Sequence, residues 1–207
     1  MSNNIINFNS PKESKVVIMC TILEKIKNKR ALELLQEYNI ELKPPIDIST
    51  LLERIGISTI AKDFSEMEKR NEIPLGSIYG AAFSNGDNLA IFYKKSDSFH
   101  RKKFTVAHEL AHCCLHCPDN VSTHVEYRLS PAFGLTEEDL KKEKIADIFA
   151  GQLLIPKDPL IKVYNEMLIP SLTSLAKIFD VSCSVMAARL DYLEMSYYKD
   201  SFSEITL

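Results

Sequence analysis

The stretch 98–115 reads Ser-Phe-His-Arg-Lys-Lys-Phe-Thr-Val-Ala-His-Glu-Leu-Ala-His-Cys-Cys-Leu, with two histidines and a glutamate in its second half. It lacks glycine and proline, and Ser98 is a suitable N-cap, so it predicts one helix. His108 and His112 are four positions apart and therefore lie on one face of that helix, about one turn apart. Both imidazoles can then reach one metal ion, and Glu109 can hold a water molecule on it. The pattern predicts a zinc site on this helix.

A catalytic zinc site needs a third protein ligand and one open position. All 5 histidines of the chain fall between His100 and His124, so the histidine-rich stretch itself offers competitors. On an unbroken helix, His116 lies one turn beyond His112, which is too far along the helix axis for it to bind the same metal ion. Cys114 and Cys117 have a metal-like spacing, but they lack a second pair and are more typical of buried thiols at a helix end. His124 remains an alternative third ligand.

A better third ligand lies on the next predicted helix, which Thr136 caps and which runs to Ile155. Glu143 and Asp147 are four positions apart, so one carboxylate can bind zinc while the other accepts the outer N–H of a zinc-bound histidine. The same residues stand in a run of lysines and glutamates that is equally typical of a solvated charged face. The spacing alone supports both interpretations.

The remaining sequence predicts short elements on either side of the zinc helix. Turn residues at 85–87 between two stretches rich in β-forming residues predict a hairpin, and its second strand is expected to offer an edge for an extended peptide. The predicted elements are one or two helices over 11–38, a helix over 47–55 ended by Gly56, a strand at 57–60, hairpin strands at 77–84 and 88–93, an irregular segment at 117–134, and helices at 171–180 and 182–192. Together they predict an α+β fold, a mostly helical zincin-like domain with a small antiparallel sheet.

The domain organisation follows from these elements. We expect an N-terminal helical segment at 1–45, a core at 46–160 that contains the zinc site, and a C-terminal helical extension at 161–207 packed on the core. The last two helices resemble a helix-turn-helix, but the second contains only one basic residue, Arg189. A packing or partner-binding role is therefore favoured over DNA binding.

Composition narrows the class of protein. A chain of 207 residues with a net charge of -3 lacks the basic excess that phosphate binding requires, so direct DNA binding is disfavoured. An odd number of cysteines, 5, is a poor disulfide framework and suits a reducing compartment. The apolar run that begins at Val16 is far shorter than the roughly 20 residues that span a bilayer. The sequence predicts a cytoplasmic protein without membrane association.

Two motifs carry a resemblance to a known family. The first is Arg101-Lys-Lys-Phe-Thr-Val-Ala-His-Glu-Leu-Ala-His112, and the second is Glu143-Lys-Ile-Ala-Asp-Ile-Phe-Ala-Gly-Gln-Leu-Leu-Ile-Pro156. Together they resemble the ImmA/IrrE family of zinc metallopeptidases, over roughly residues 45–192. Departures are small: Ala111 and the two cysteines after His112 stand where glycine and larger apolar residues are more usual, and asparagine is also common at position 147.

The resemblance implies a role for each matched residue. His108, His112 and Glu143 would bind one Zn²⁺ per chain, Glu109 would be the catalytic acid/base, and Asp147 would support a ligating histidine. Candidate donors to the developing oxyanion are His124, Tyr127 and Tyr93.

The resemblance also implies a target. Members of the family on mobile elements or in stress responses cleave a cognate repressor, so we expect an endopeptidase that acts as an anti-repressor on a helix-turn-helix protein encoded nearby. The alternative is a non-proteolytic regulatory zinc protein that binds a repressor, an antitoxin or DNA. The intact Glu109 favours the enzyme, because a structural zinc site does not need a carboxylate there.

Overall fold

The computed structural model describes residues 21–70, 72, 74–84, 88–116, 124–129 and 135–199, with backbone alone for 124–127 and 129. The helices are α1 (Ile22–Ile26), α2 (Ala31–Glu37), α3 (Ile48–Ile55), α4 (Ser65–Arg70), α5 (Phe99–Leu115), α6 (Glu137–Leu154), α7 (Lys157–Asn165), α8 (Leu172–Phe179) and α9 (Cys183–Tyr192). The strands are β1 (Ile57–Lys62), β2 (Ile78–Ser84), β3 (Leu89–Lys94) and β4 (His124–Leu129). The predicted α+β class is confirmed.

The two long helices α5 and α6 begin where the sequence predicts. Ser98 caps α5 by accepting a hydrogen bond from the backbone N–H of Arg101. Thr136 and Asp139 form a capping box at the start of α6. The small residues Ala146 and Ala150 are fully buried, so α6 can approach its neighbours closely.

The four strands form one mixed sheet in the order β1-β3-β2-β4. The predicted hairpin is confirmed, because β2 pairs antiparallel with β3; its turn residues 85–87 lie outside the described residues. β1 pairs parallel with β3 over its whole length, from Ile57 opposite Leu89 to Lys62 opposite Lys94. The expectation that β3 offers an edge is therefore wrong, since β1 and β2 cover both of its sides.

The segment 117–134, predicted to be irregular, contains the strand β4. Val125, Tyr127 and Leu129 alternate with polar residues, which is the periodicity of a strand, but only six residues carry it between loop signals. β4 pairs antiparallel with β2, and the register shifts between Ile78 and Gly80. β4 is thus an edge of the described sheet.

The shorter predicted elements are mostly confirmed. Asp47 caps α3 and Gly56 follows it with a φ of 92°. The part of 11–38 that the structure describes contains two short helices, α1 and α2. The helices α4 and α7 are not predicted from the sequence.

One core of buried side chains extends from Ile26 in α1 to Leu190 in α9 and contains residues of all three predicted segments. The boundaries of those segments stay a prediction.

Arg189 of α9 is buried, and its Nε donates to the backbone oxygen of Ile155 at 2.9 Å. The one basic side chain of α9 is thereby used to pack it against the end of α6. Within the described ranges, every helix is too short or too polar to cross a membrane.

Candidate metal centre

Three side chains from α5 and α6 meet at one point. His108 and His112 are buried, and Glu143 reaches them from α6 with a quarter of its side chain exposed. The two histidine Nε2 atoms are 3.0 Å apart. Glu143 Oε2 lies 3.1 Å from Nε2 of His108, and its Oε1 lies 3.2 Å from Nε2 of His112. These three residues could hold a metal ion.

A fourth side chain sets the orientation of the first histidine. Asp147 Oδ1 lies 2.7 Å from Nδ1 of His108 and accepts its N–H. With a metal ion bound, the ring would be neutral and protonated on Nδ1, which leaves the lone pair of Nε2 for the ion. The spacing of Glu143 and Asp147 on one helix therefore gives the two carboxylates different partners.

The carboxyl group of Glu143 is held in its ionised form. Burial by itself raises the pKa of this group. The hydrogen bonds and charges of His108 and His112 outweigh burial and hold the pKa well below its ordinary value. An ionised carboxylate beside two imidazoles is a suitable set of donors for a divalent cation.

Glu109 is fully buried at the face of α5 that meets the sheet. Space for its carboxylate depends on Gly80 of β2. A Cβ added at Gly80 would lie 2.7 Å from Glu109 Oε1 and 2.6 Å from Cγ2 of Thr105. The missing side chain at Gly80 thus lets the strand approach the helix, next to the register shift between β2 and β4.

We expect Gly80→Ala to lower the free energy of unfolding of the metal-free protein by about 1–3 kcal/mol, because the added methyl group overpacks this contact. Denaturant unfolding measures the change. Gly151→Ala is the matched control, since the nearest atom to its added Cβ is Arg189 Cδ at 3.9 Å and alanine is the better helix former. Equal stability of Gly80→Ala and the parent would show that Glu109 moves aside without cost.

Arg128 is a residue at this site that the sequence does not reveal. Its Nη2 lies 3.2 Å from Asp147 Oδ1, its Nε lies 3.9 Å from Glu143 Oε2, and its Cζ lies 5.5 Å from the ring centroid of Phe104. It belongs to β4, which the sequence presents as irregular, so only its charge could have drawn attention to it.

The predicted oxyanion donors are placed as follows. Tyr93 lines a cavity of about 520 Å³ between α3 and α5, with its ring 6.0 Å from Lys102 Nζ. None of the three candidate ligands lines that cavity, and Tyr93 pairs with Gly80 across β2 and β3. The backbones of His124 and Tyr127 lie in β4, opposite Ser84 and Ala81, and their side chains are outside the described set. The donor role of all three stays a prediction.

The remaining histidines and cysteines of the histidine-rich stretch are not among the three candidate ligands, although the ring centroid of His116 lies 5.3 Å from that of His112. His100 Nε2 is 3.2 Å from Asp180 Oδ1, beyond the end of α8. His116 is the C-cap of α5. Burial raises the pKa of the Cys114 thiol, which is unfavourable for a thiolate ligand, and Cys117 is not among the described residues.

Two cavities flank the metal centre and share the side chains of Phe104, Ser184 and Val185. One, of about 340 Å³, includes Arg128 in its wall. The other, of about 410 Å³, is mostly apolar and includes Asp147 and Tyr192 in its wall. The C-terminal helix α9 therefore contributes to the surface beside the candidate ligands.

Comparison with known families agrees with this arrangement. The sequence pattern of peptidase family M78, described as the IrrE N-terminal-like domain, matches residues 52–191, which is more than half of the chain. The matched span contains the whole described sheet and the helices α5 and α6. No match is found among curated proteins. On the family pattern, the chain belongs to the IrrE N-terminal-like domain family of peptidases.

Proposed function

We propose that this protein is a zinc-dependent endopeptidase that regulates transcription by cleaving a repressor. His108, His112 and Glu143 would bind the zinc, Glu109 would act as the acid/base, and Asp147 would orient His108. The observation that carries the proposal is the convergence of the three side chains: the two Nε2 atoms are 3.0 Å apart, and the two oxygens of Glu143 lie 3.1 and 3.2 Å from them.

These separations are compatible with a tetrahedral zinc ion. Zinc binds histidine nitrogen and carboxylate oxygen at about 2.0–2.1 Å in tetrahedral geometry, which puts neighbouring ligand atoms about 3.3 Å apart. Catalytic sites with two histidines and one glutamate leave the fourth position open for water or substrate. Glu143 and the two histidines supply that set of donors.

The protein's own residues would perform the proton transfers. Zinc bound there would lower the pKa of a water molecule and polarise a peptide carbonyl. Glu109 would take a proton from the attacking water and pass it to the leaving amine. Its burial between α5 and Gly80 restricts its position, and Asp147 keeps the proton of His108 on Nδ1.

The substrate would be a polypeptide lying beside α9 and β4. The two flanking cavities supply partly apolar walls on either side of Phe104. β4 pairs with β2 on one side and is an edge of the described sheet, so an extended peptide could add to it by backbone hydrogen bonds. The repressor as target rests on the resemblance to the ImmA/IrrE family, and action in the cytoplasm rests on the odd number of cysteines and the short apolar run at Val16.

The test is incubation of the zinc-loaded protein with the helix-turn-helix protein encoded nearest to its gene, followed by mass spectrometry of the products. We expect defined fragments, which disappear when a chelator removes zinc and return when zinc is restored. An intact partner held in a stable complex would support the non-proteolytic alternative instead. A gel shift with the protein alone and the neighbouring promoter tests direct DNA binding, which the buried Arg189 disfavours.

A further inference from the structure

Arg128 faces the carboxylate oxygens that the metal centre uses. The oxygen of Asp147 at 3.2 Å from its Nη2 is Oδ1, the same atom that accepts the N–H of His108. The oxygen of Glu143 at 3.9 Å from its Nε is Oε2, the same atom that faces Nε2 of His108. One guanidinium thus lies beside both carboxylates of the centre.

The position of Arg128 is well defined by its surroundings. Only 17% of its side chain is exposed, and the guanidinium lies against the ring of Phe104. It comes from the sheet, whereas both carboxylates come from α6. A guanidinium group carries a positive charge and has donors that suit carboxylate oxygens.

We propose that Arg128 is a counter-cation that competes with the metal for the negative charge of Glu143 and Asp147. It neutralises part of the charge that would otherwise attract a divalent cation, and it shares the Asp147 oxygen that strengthens His108 as a ligand. The site therefore binds its metal less tightly than its three ligands would allow. This inference rests on the metal site of the proposed function and goes beyond it by giving Arg128 a role in the strength of metal binding.

An orienting role would have the opposite effect on metal affinity. If Arg128 served mainly to hold Asp147 in place, its removal would weaken zinc binding, as loss of an outer partner typically does by about 10–100-fold. The bond from His108 to Asp147, at 2.7 Å, is shorter than the contact from Arg128 and does not require it. Charge competition therefore outweighs orientation.

The experiment measures zinc affinity of the folded, metal-free protein by competition with a chromophoric chelator. We expect Arg128→Gln to bind zinc about tenfold more tightly than the parent, because a unit charge beside the ligands is removed. Arg128→Lys retains the charge and should keep the parent affinity. Should the glutamine variant fail to fold, Arg128→Met keeps an apolar stem against Phe104 and gives the same measurement.

Arg101→Gln is the matched control. Arg101 lines the same cavity as Arg128, but its Nε faces Asp97 at 3.4 Å, so its loss should leave zinc affinity unchanged. Equal or weaker zinc binding by Arg128→Gln would overturn the inference while leaving the proposed function intact. Absence of zinc binding by the parent protein would overturn both. If Arg101→Gln raised zinc affinity as much as Arg128→Gln, the inference would also be overturned, because the effect would then be one of net charge in general.

Discussion

Replacement of Glu109 by glutamine is expected to leave zinc binding intact and to slow cleavage of the target by about 10²–10⁴-fold. The magnitude is that of a lost general acid/base. Glutamine has nearly the same shape, so it fits the space beside Gly80, but its amide cannot accept the proton of water. Glu109 is not one of the three candidate ligands, which is why zinc content should not fall. Zinc stoichiometry and the cleavage rate are measured on the same preparation.

Glu68→Gln is the matched control for this result. Glu68 is also buried, but it accepts the backbone N–H groups of Gly76 and Ile78, at the start of β2. Its replacement should lower the free energy of unfolding by about 1–3 kcal/mol and leave the cleavage rate of the folded protein unchanged. Cleavage by Glu109→Gln at the parent rate would contradict the mechanism.

Removal of the third ligand is expected to have the largest effect on metal content. Glu143→Ala should weaken zinc binding by more than about 100-fold, the upper end of what loss of an outer partner causes. The variant keeps the two imidazole ligands but loses the negative charge of Glu143, which offsets part of the positive charge of the metal. Dialysis against zinc buffers, followed by metal analysis, measures the change.

Glu138→Ala is the control on the same helix. Glu138 is largely exposed and pairs with Lys142 at 2.8 Å, so its loss should leave zinc affinity at the parent value. Retention of stoichiometric zinc by Glu143→Ala at the parent affinity would show that the metal is bound elsewhere. The two variants thus separate loss of a ligand from loss of a surface charge on α6.

The sequence contains most of the information for the ligand helices. Caps at Ser98 and Thr136 predict where α5 and α6 begin, α5 contains no glycine or proline, and the spacing of His108 and His112 puts them on one face. Spacing alone could not identify the third ligand, because two carboxylates four positions apart are equally typical of a solvent-exposed helix face. Only the packing of α6 against α5 distinguishes a metal ligand from an exposed carboxylate. The family resemblance indicates this packing indirectly.

The parts that the sequence does not reveal depend on contacts between distant segments. The parallel pairing of β1 with β3 encloses a strand that local periodicity presents as an edge. β4 is short and flanked by loop signals, so Arg128 could not be assigned to an element. Gly80 did carry a local signal, since an isolated glycine inside a strand indicates close approach of another group. The identity of that group, Glu109, needed the structure.

The packing of α5 against α6 also affects folding. Glu143 is 31 positions after His112, and an ion held by both helices would close the intervening chain into a loop. Such an ion would act as a reversible cross-link between the two helices, and unlike a disulfide it would stabilise the protein by binding to the folded state. The protein would then gain stability in proportion to RT ln(1 + [Zn²⁺]/Kd), about 2.7 kcal/mol at one hundred times Kd. The metal would thus serve the fold as well as the chemistry.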